Sequence, residues 1–75
     1  MATLRELEPG QRASVVAIEG SDEVAARLLE MGLTPGVDVE MVGSAVWGDP
    51  LEIRVRGYAL SLRKQEAARV VIELR

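Results

Sequence analysis

The chain carries twelve carboxylates and nine lysine or arginine side chains, but no histidine and no cysteine. Nucleophilic catalysis needs a Ser, Cys, Thr or Lys beside a base, most often His. Ser14, Ser21, Ser44 and Ser61 therefore lack the commonest base. A carboxylate pair can do acid–base work, yet most of the acids fall on faces that periodicity turns toward water. Transition metals favour His and Cys ligands, and the acids show no metal-ligand spacing. No P-loop, dinucleotide-binding glycine pattern or EF-hand loop is present. The reading is a protein that is not an enzyme, with no cofactor and no built-in metal site.

What remains is recognition chemistry. Trp47 is the one tryptophan, set in a loop beside Gly48-Asp49-Pro50. Trp is enriched among interface hot spots, so Trp47 is a candidate partner contact; the alternative is a lid folded over the mouth of the domain. Arg54 and Arg56 share a parity, with Arg63 expected nearby on the next strand. They form either a basic patch for an acidic partner surface or ordinary solvated positions that pair with Glu52 or Glu73 across strands. Charge is unevenly spread. Residues 1–50 hold three arginines against nine acids, a net of −6, while residues 51–75 hold six Lys/Arg against three acids, a net of +3. Arg27 is expected to pair at the surface with Glu23, one helical turn before it.

These side chains need a scaffold. At 75 residues the chain is read as one domain spanning 1–75, burying only about 60% of its unfolded surface. Apolar residues make up 48% of it, which suits a globular fold. No apolar run approaches the ~20 residues of a membrane span, and residues 1–6 lack a signal-peptide stretch. The expected location is the cytoplasm, without membrane insertion.

Seven glycines separate short segments, most of which alternate. Leu51, Ile53 and Val55 oppose Glu52, Arg54 and Arg56. Val37, Val39 and Met41 oppose Asp38 and Glu40. Tyr58, Leu60 and Leu62 share a parity, as do Val70, Ile72 and Leu74. This period of two predicts half-buried strands. In residues 11–19, Ala13 and Val15 share one parity and Val16 and Ile18 the other, so both faces are covered or a bulge shifts the register. Between these strands the period changes. Val24, Leu28 and Met31 fall at i, i+4 and i+7, an amphipathic helix. Ser21 is the expected N-cap, and Gly32 the left-handed residue that ends the helix, with Leu33 folding back on Leu28. Leu7-Glu8-Pro9-Gly10 and Leu33-Thr34-Pro35-Gly36 each read as a type II turn aiming the chain into a strand. A further short turn or helix is expected over residues 64–68. Five short strands predict a small closed or nearly closed barrel.

The run Arg27-Leu28-Leu29-Glu30-Met31-Gly32-Leu33-Thr34-Pro35-Gly36 is the most specific text in the chain. With Gly48-Asp49-Pro50-Leu51-Glu52-Ile53-Arg54-Val55-Arg56-Gly57-Tyr58 and Leu60-Ser61-Leu62-Arg63-Lys64-x-Glu66-Ala67, it resembles the FeoA family, ferrous iron transport protein A. The opening Leu7-x-Pro9-Gly10-Gln11-x-Ala13-x-Val15 is similar too. One departure is Trp47, where many relatives carry a smaller residue. The resemblance implies a mostly β, five-stranded SH3-like barrel with one α-helix inserted after the first strand. It also implies a cytoplasmic accessory to FeoB, the membrane GTP-binding ferrous iron transporter, that binds it and modulates Fe(II) uptake. The same domain type ends iron-dependent repressors, so a free-standing regulatory relative of that domain is the alternative. Within the motif, Leu28, Met31, Gly32, Pro35, Gly36 and Gly57 are assigned to architecture. A nucleic-acid-binding barrel wants a basic domain with stacking aromatics. This chain is net acidic, with Trp47 and Tyr58 as its aromatics, and no nucleic acid partner is expected. Proline-rich peptide recognition wants an aromatic-lined groove and meets the same objection.

Overall fold

The computed structural model describes residues 2–75. Its six strands form one antiparallel sheet: β1 (Ala2–Thr3), β2 (Arg12–Ile18), β3 (Asp38–Ser44), β4 (Leu51–Val55), β5 (Tyr58–Leu62) and β6 (Val70–Leu74). Their order in the sheet is β1-β6-β2-β3-β4-β5. Helix α1 (Glu23–Glu30) joins β2 to β3, and α2 (Lys64–Ala67) joins β5 to β6. The class is mostly β, as expected, but two details differ. A sixth strand exists because Ala2 and Thr3 pair with Ile72 and Val71, so the main helix follows the second strand. The sheet is also open, since β1 and β5 are its two ends and do not pair with each other.

Alternation does what it predicts. Leu51, Ile53 and Val55 are buried while Glu52 and Arg54 are exposed. Val39 and Met41 on β3 and Ile72 on β6 meet them in one core with Leu4, Leu28, Leu33 and Leu62. Each such side chain is worth roughly 1.5–3 kcal/mol of burial. No polar or charged residue is buried among the described residues. The mixed parity of β2 resolves as a register shift: Val15 lies opposite Ile72, but Ala17 lies opposite Val71, leaving Val16 as the extra residue. The shift lets Val15 stay buried while Ile18 still packs on the core.

Helix α1 ends in a full Schellman motif. Leu33 N–H donates to the Leu28 carbonyl at 3.2 Å and Gly32 N–H to that of Leu29 at 3.0 Å. Gly32 has φ of 102°, a conformation that glycine adopts without steric cost. A side chain there would also collide with the Tyr58 hydroxyl, which donates to the Met31 carbonyl at 2.5 Å. The helix starts one residue later than expected. Asp22, not Ser21, is the N-cap, its carboxylate accepting from Ala25 N–H at 3.1 Å. The same carboxylate accepts two hydrogen bonds from Arg69, at 2.5 and 2.8 Å, and a serine hydroxyl could not have bound that guanidinium so well.

Both Leu-x-Pro-Gly turns form, one at each end of the antiparallel β2–β3 ladder. Gln11 N–H closes on Glu8 and Val37 N–H on Thr34. Gly10 N–H then donates to Met41 and Gly36 N–H to Val15, each at 2.8 Å. The leucine ahead of each turn, Leu7 or Leu33, is buried beneath it.

Candidate docking site

The β3–β4 connection, residues 45–50, is held at its base and open at its tip. Ala45 N–H donates to Pro50, and Gly48 N–H to Ala45. The Asp49 carboxylate accepts from Lys64 N–H at 3.0 Å, tying the loop to the start of α2. Between these anchors Val46 and Trp47 are each 91% exposed. The lid alternative is therefore overturned: Trp47 covers nothing. Val46 joins it as an apolar neighbour that sequence reasoning did not single out.

A charged groove crosses the outer face of β2, β3 and β4. Its volume is about 220 Å³, and its rim carries Arg12, Arg54, Arg56 and Arg75 against Asp38 and Glu40. The strand register builds it. Arg12 and Arg54 lie on either side of Glu40, with guanidinium nitrogens 4.0 and 3.6 Å from its carboxylate. One step along, Asp38 accepts from Ser14 at 3.1 Å and pairs with Arg75 at 2.5 Å. Arg56 reaches the Thr34 hydroxyl at 3.4 Å. Arg54 thus pairs with Glu40 rather than with Glu52 or Glu73. Exposed pairs of this kind contribute only ~0–1 kcal/mol, so the four guanidiniums against two carboxylates leave positive charge available to a partner.

The three arginines expected together are divided. Arg54 lies in β4, whereas Arg56 occupies the β4–β5 turn with φ of 50°, beside Gly57 at 86°. Two successive positive φ values are what a two-residue primed hairpin turn requires. Arg56 nevertheless reaches the groove of Arg54. Arg63 does not: it precedes α2 and lines a different depression, with Val24, Arg27, Gln65, Glu66 and Arg69. It lies four residues beyond Ala59, the residue opposite Arg54, just past the end of β5 and about 13 Å along the chain direction. In that second depression Arg27 pairs with Glu66 of α2 rather than with Glu23. Asp22 is pulled from 3.8 to about 2, first by the Arg69 hydrogen bonds and then by the Ala25 amide. Arg69 is raised in turn by Asp22. Arg12 and Arg75 were missed because only strand pairing brings residues so distant in sequence into one groove.

No group of three or more His, Cys, Asp or Glu side chains is placed to hold a metal ion among the described residues. No helix among them is long and apolar enough to cross a membrane. The surface offers an exposed aromatic tip and a guanidinium-rich groove on a small, mostly β domain. The FeoA domain model matches residues 2–74, and the chain belongs to the FeoA family. It is 38% identical over 71 residues to the "Fe(2+) transport protein A/Fe(2+) transporter FeoB fusion protein" of Porphyromonas gingivalis, covering 95% of this chain. The chain spans 8% of the length of that curated relative. The solution structure of iron(II) transport protein A from Clostridium thermocellum superposes with a TM-score of 0.92 at 34% identity, over 97% of this chain and 45% of that one. FeoA of Stenotrophomonas maltophilia complexed with zinc, described as a prokaryotic SH3 domain protein, gives 0.86 at 36% identity, over 97% and 91%.

Proposed function

We propose that this chain is a non-catalytic accessory that docks on the cytoplasmic part of a FeoB-type ferrous iron transporter and modulates Fe(II) uptake. The observation that carries the reading is the Porphyromonas gingivalis fusion, in which a domain 38% identical to this chain shares a polypeptide with a FeoB transporter. Covalent fusion raises effective concentration to roughly millimolar, and so favours pairs that work in contact. The surface fits such a role. A tryptophan left 91% in water contributes nothing to the core, while a desolvated Trp at an interface is worth ~2 kcal/mol or more. The arginine groove would add orientation and salt-dependent association.

The test is binding of the purified chain to its own organism's full-length transporter in detergent, with and without GTP and Fe(II). Saturable binding at micromolar Kd or better is expected. Trp47→Ala is expected to weaken it, and Arg54→Glu with Arg56→Glu to steepen its loss with salt. Absence of binding in every nucleotide and iron state would remove this function.

A further inference from the structure

The sheet's two ends are managed differently. β1 is blunted by its length, two residues. β5 is five residues long, Tyr58-Ala59-Leu60-Ser61-Leu62, with no charge, no proline and no register shift against β4. Edge strands usually carry one of these protections, because an open edge is a template for another strand.

The hairpin fixes which groups are open. Across a two-residue turn Val55 and Tyr58 form the first bonded pair, and bonded pairs then alternate. Ile53 with Leu60 and Leu51 with Leu62 are bonded pairs, while Ala59 and Ser61 lie opposite Arg54 and Glu52 in the non-bonded positions. The N–H and C=O of Ala59 and Ser61 therefore point away from β4. No turn, loop or side chain among the described residues bonds them. Both residues are small and exposed, so their own side chains do not obstruct an incoming backbone. On the core-facing side, Tyr58 remains 42% exposed and Leu60 is only partly buried. An added strand would cover both.

We propose that β5 captures an extended segment of a partner protein by antiparallel strand addition, and that this segment carries acidic residues on both sides of a short alternating apolar core. The inference rests on reading the domain as a docking module, and adds the docking mode and the partner's chemistry. The charges at the ends of β5 choose this occupant over a second copy of the chain. Arg56 precedes the strand, and Arg63 and Lys64 follow it. Two copies paired antiparallel about Leu60 would bring the turn residue Arg56 of each toward the end of β5 where Arg63 and Lys64 of the other begin α2, so cations would gather at both ends and repel. An acid-flanked segment meets the same cations favourably. The backbone supplies affinity in strand addition, and alternate side chains supply selectivity.

The test uses the full ¹⁵N-labelled chain and two probe peptides with one core, Asp-Glu-Val-Thr-Ile-Thr-Val-Glu-Asp and its analogue with all four acids replaced by Lys. Exchange of the Ala59 and Ser61 amides is expected to slow by about tenfold or more with the acidic peptide only, as amides gain protection on bonding. Ser61→Pro removes one outward N–H and leaves the β4 ladder intact, because an edge tolerates proline where its N–H faced solvent. That variant is expected to lose protection at Ala59. Should it fail to fold, the double variant Arg56→Glu with Lys64→Glu is expected to prefer the Lys peptide. Equal protection by both peptides, no protection, or protection that grows with protein concentration without peptide would overturn the proposal. If the transporter binds wild type and a folded Ser61→Pro equally, docking stands and strand addition falls. Peptide capture by a chain that does not bind the transporter supports the edge and removes the transporter reading.

Discussion

The connections over residues 27–36 and 45–50 use similar turn chemistry toward opposite ends. Each places a glycine at positive φ, Gly32 and Gly36 in the first and Gly48 in the second. In the first, Leu28 and Leu33 are fully buried while Leu29 stays 42% exposed on the outer side of the helix, and every turn is closed by backbone bonds that seat β3. In the second, Val46 and Trp47 point into water, while the bonds lie at the loop's base. In the stretch that is most specific as text, Leu28, Gly32 and Leu33 have roles in the fold: two fill the core and one ends the helix. Residues 45–50 hold apolar surface, Val46 and Trp47, that folding leaves unused.

The largest effect on the first region is expected at Gly32. Gly32→Val forces a β-branched residue into left-handed backbone and displaces the Tyr58 hydroxyl from Met31. The strained backbone costs about 1–3 kcal/mol and the lost hydrogen bond about 1 more. A loss of roughly 2–4 kcal/mol in urea unfolding is expected, with transporter binding normal for whatever fraction stays folded. An unchanged urea midpoint would show that the helix end does not depend on this residue. Trp47→Ala is the mirror case. It should weaken transporter binding by ~2 kcal/mol, about 30-fold, and leave stability within ~0.5 kcal/mol. A large drop in its urea midpoint would show that the tip belongs to the fold after all.

The smallest effect sharpens the first region. Asp22 sits at about 2 in the folded protein against an ordinary 3.8, so the folded state binds its proton less readily than the unfolded one. Its contribution to stability is in place above about pH 4 and is lost as pH falls toward 2. The urea midpoint of wild type should therefore fall more steeply between pH 4 and pH 2 than that of Asp22→Asn. Parallel curves would show that the Arg69 pair does not hold the start of α1.

Much of the architecture was legible because its causes are local. The alternation of Leu51, Ile53 and Val55, the helical spacing of Val24, Leu28 and Met31, and the Pro-Gly turns all act within a few residues. So does the Gly32-Leu33 helix end, which formed with the expected partners. The two-residue β1 was invisible because so short a segment has no period, and exists only by pairing with β6. Ser21 and Asp22 are equally good caps in isolation. Arg69, 47 residues beyond Asp22, decides between them.

For the candidate site, residue type alone nominated Trp47, and shared parity nominated Arg54 and Arg56. Tertiary structure decided that the tryptophan stands clear of the core, that Arg63 belongs to another face, and that Arg12 and Arg75 complete the groove. It also decided which edge of the sheet stays open. Periodicity within a strand or helix is written into neighbouring residues. Register, strand order and the meeting of charges from distant segments arise only when the chain closes its long-range pairings.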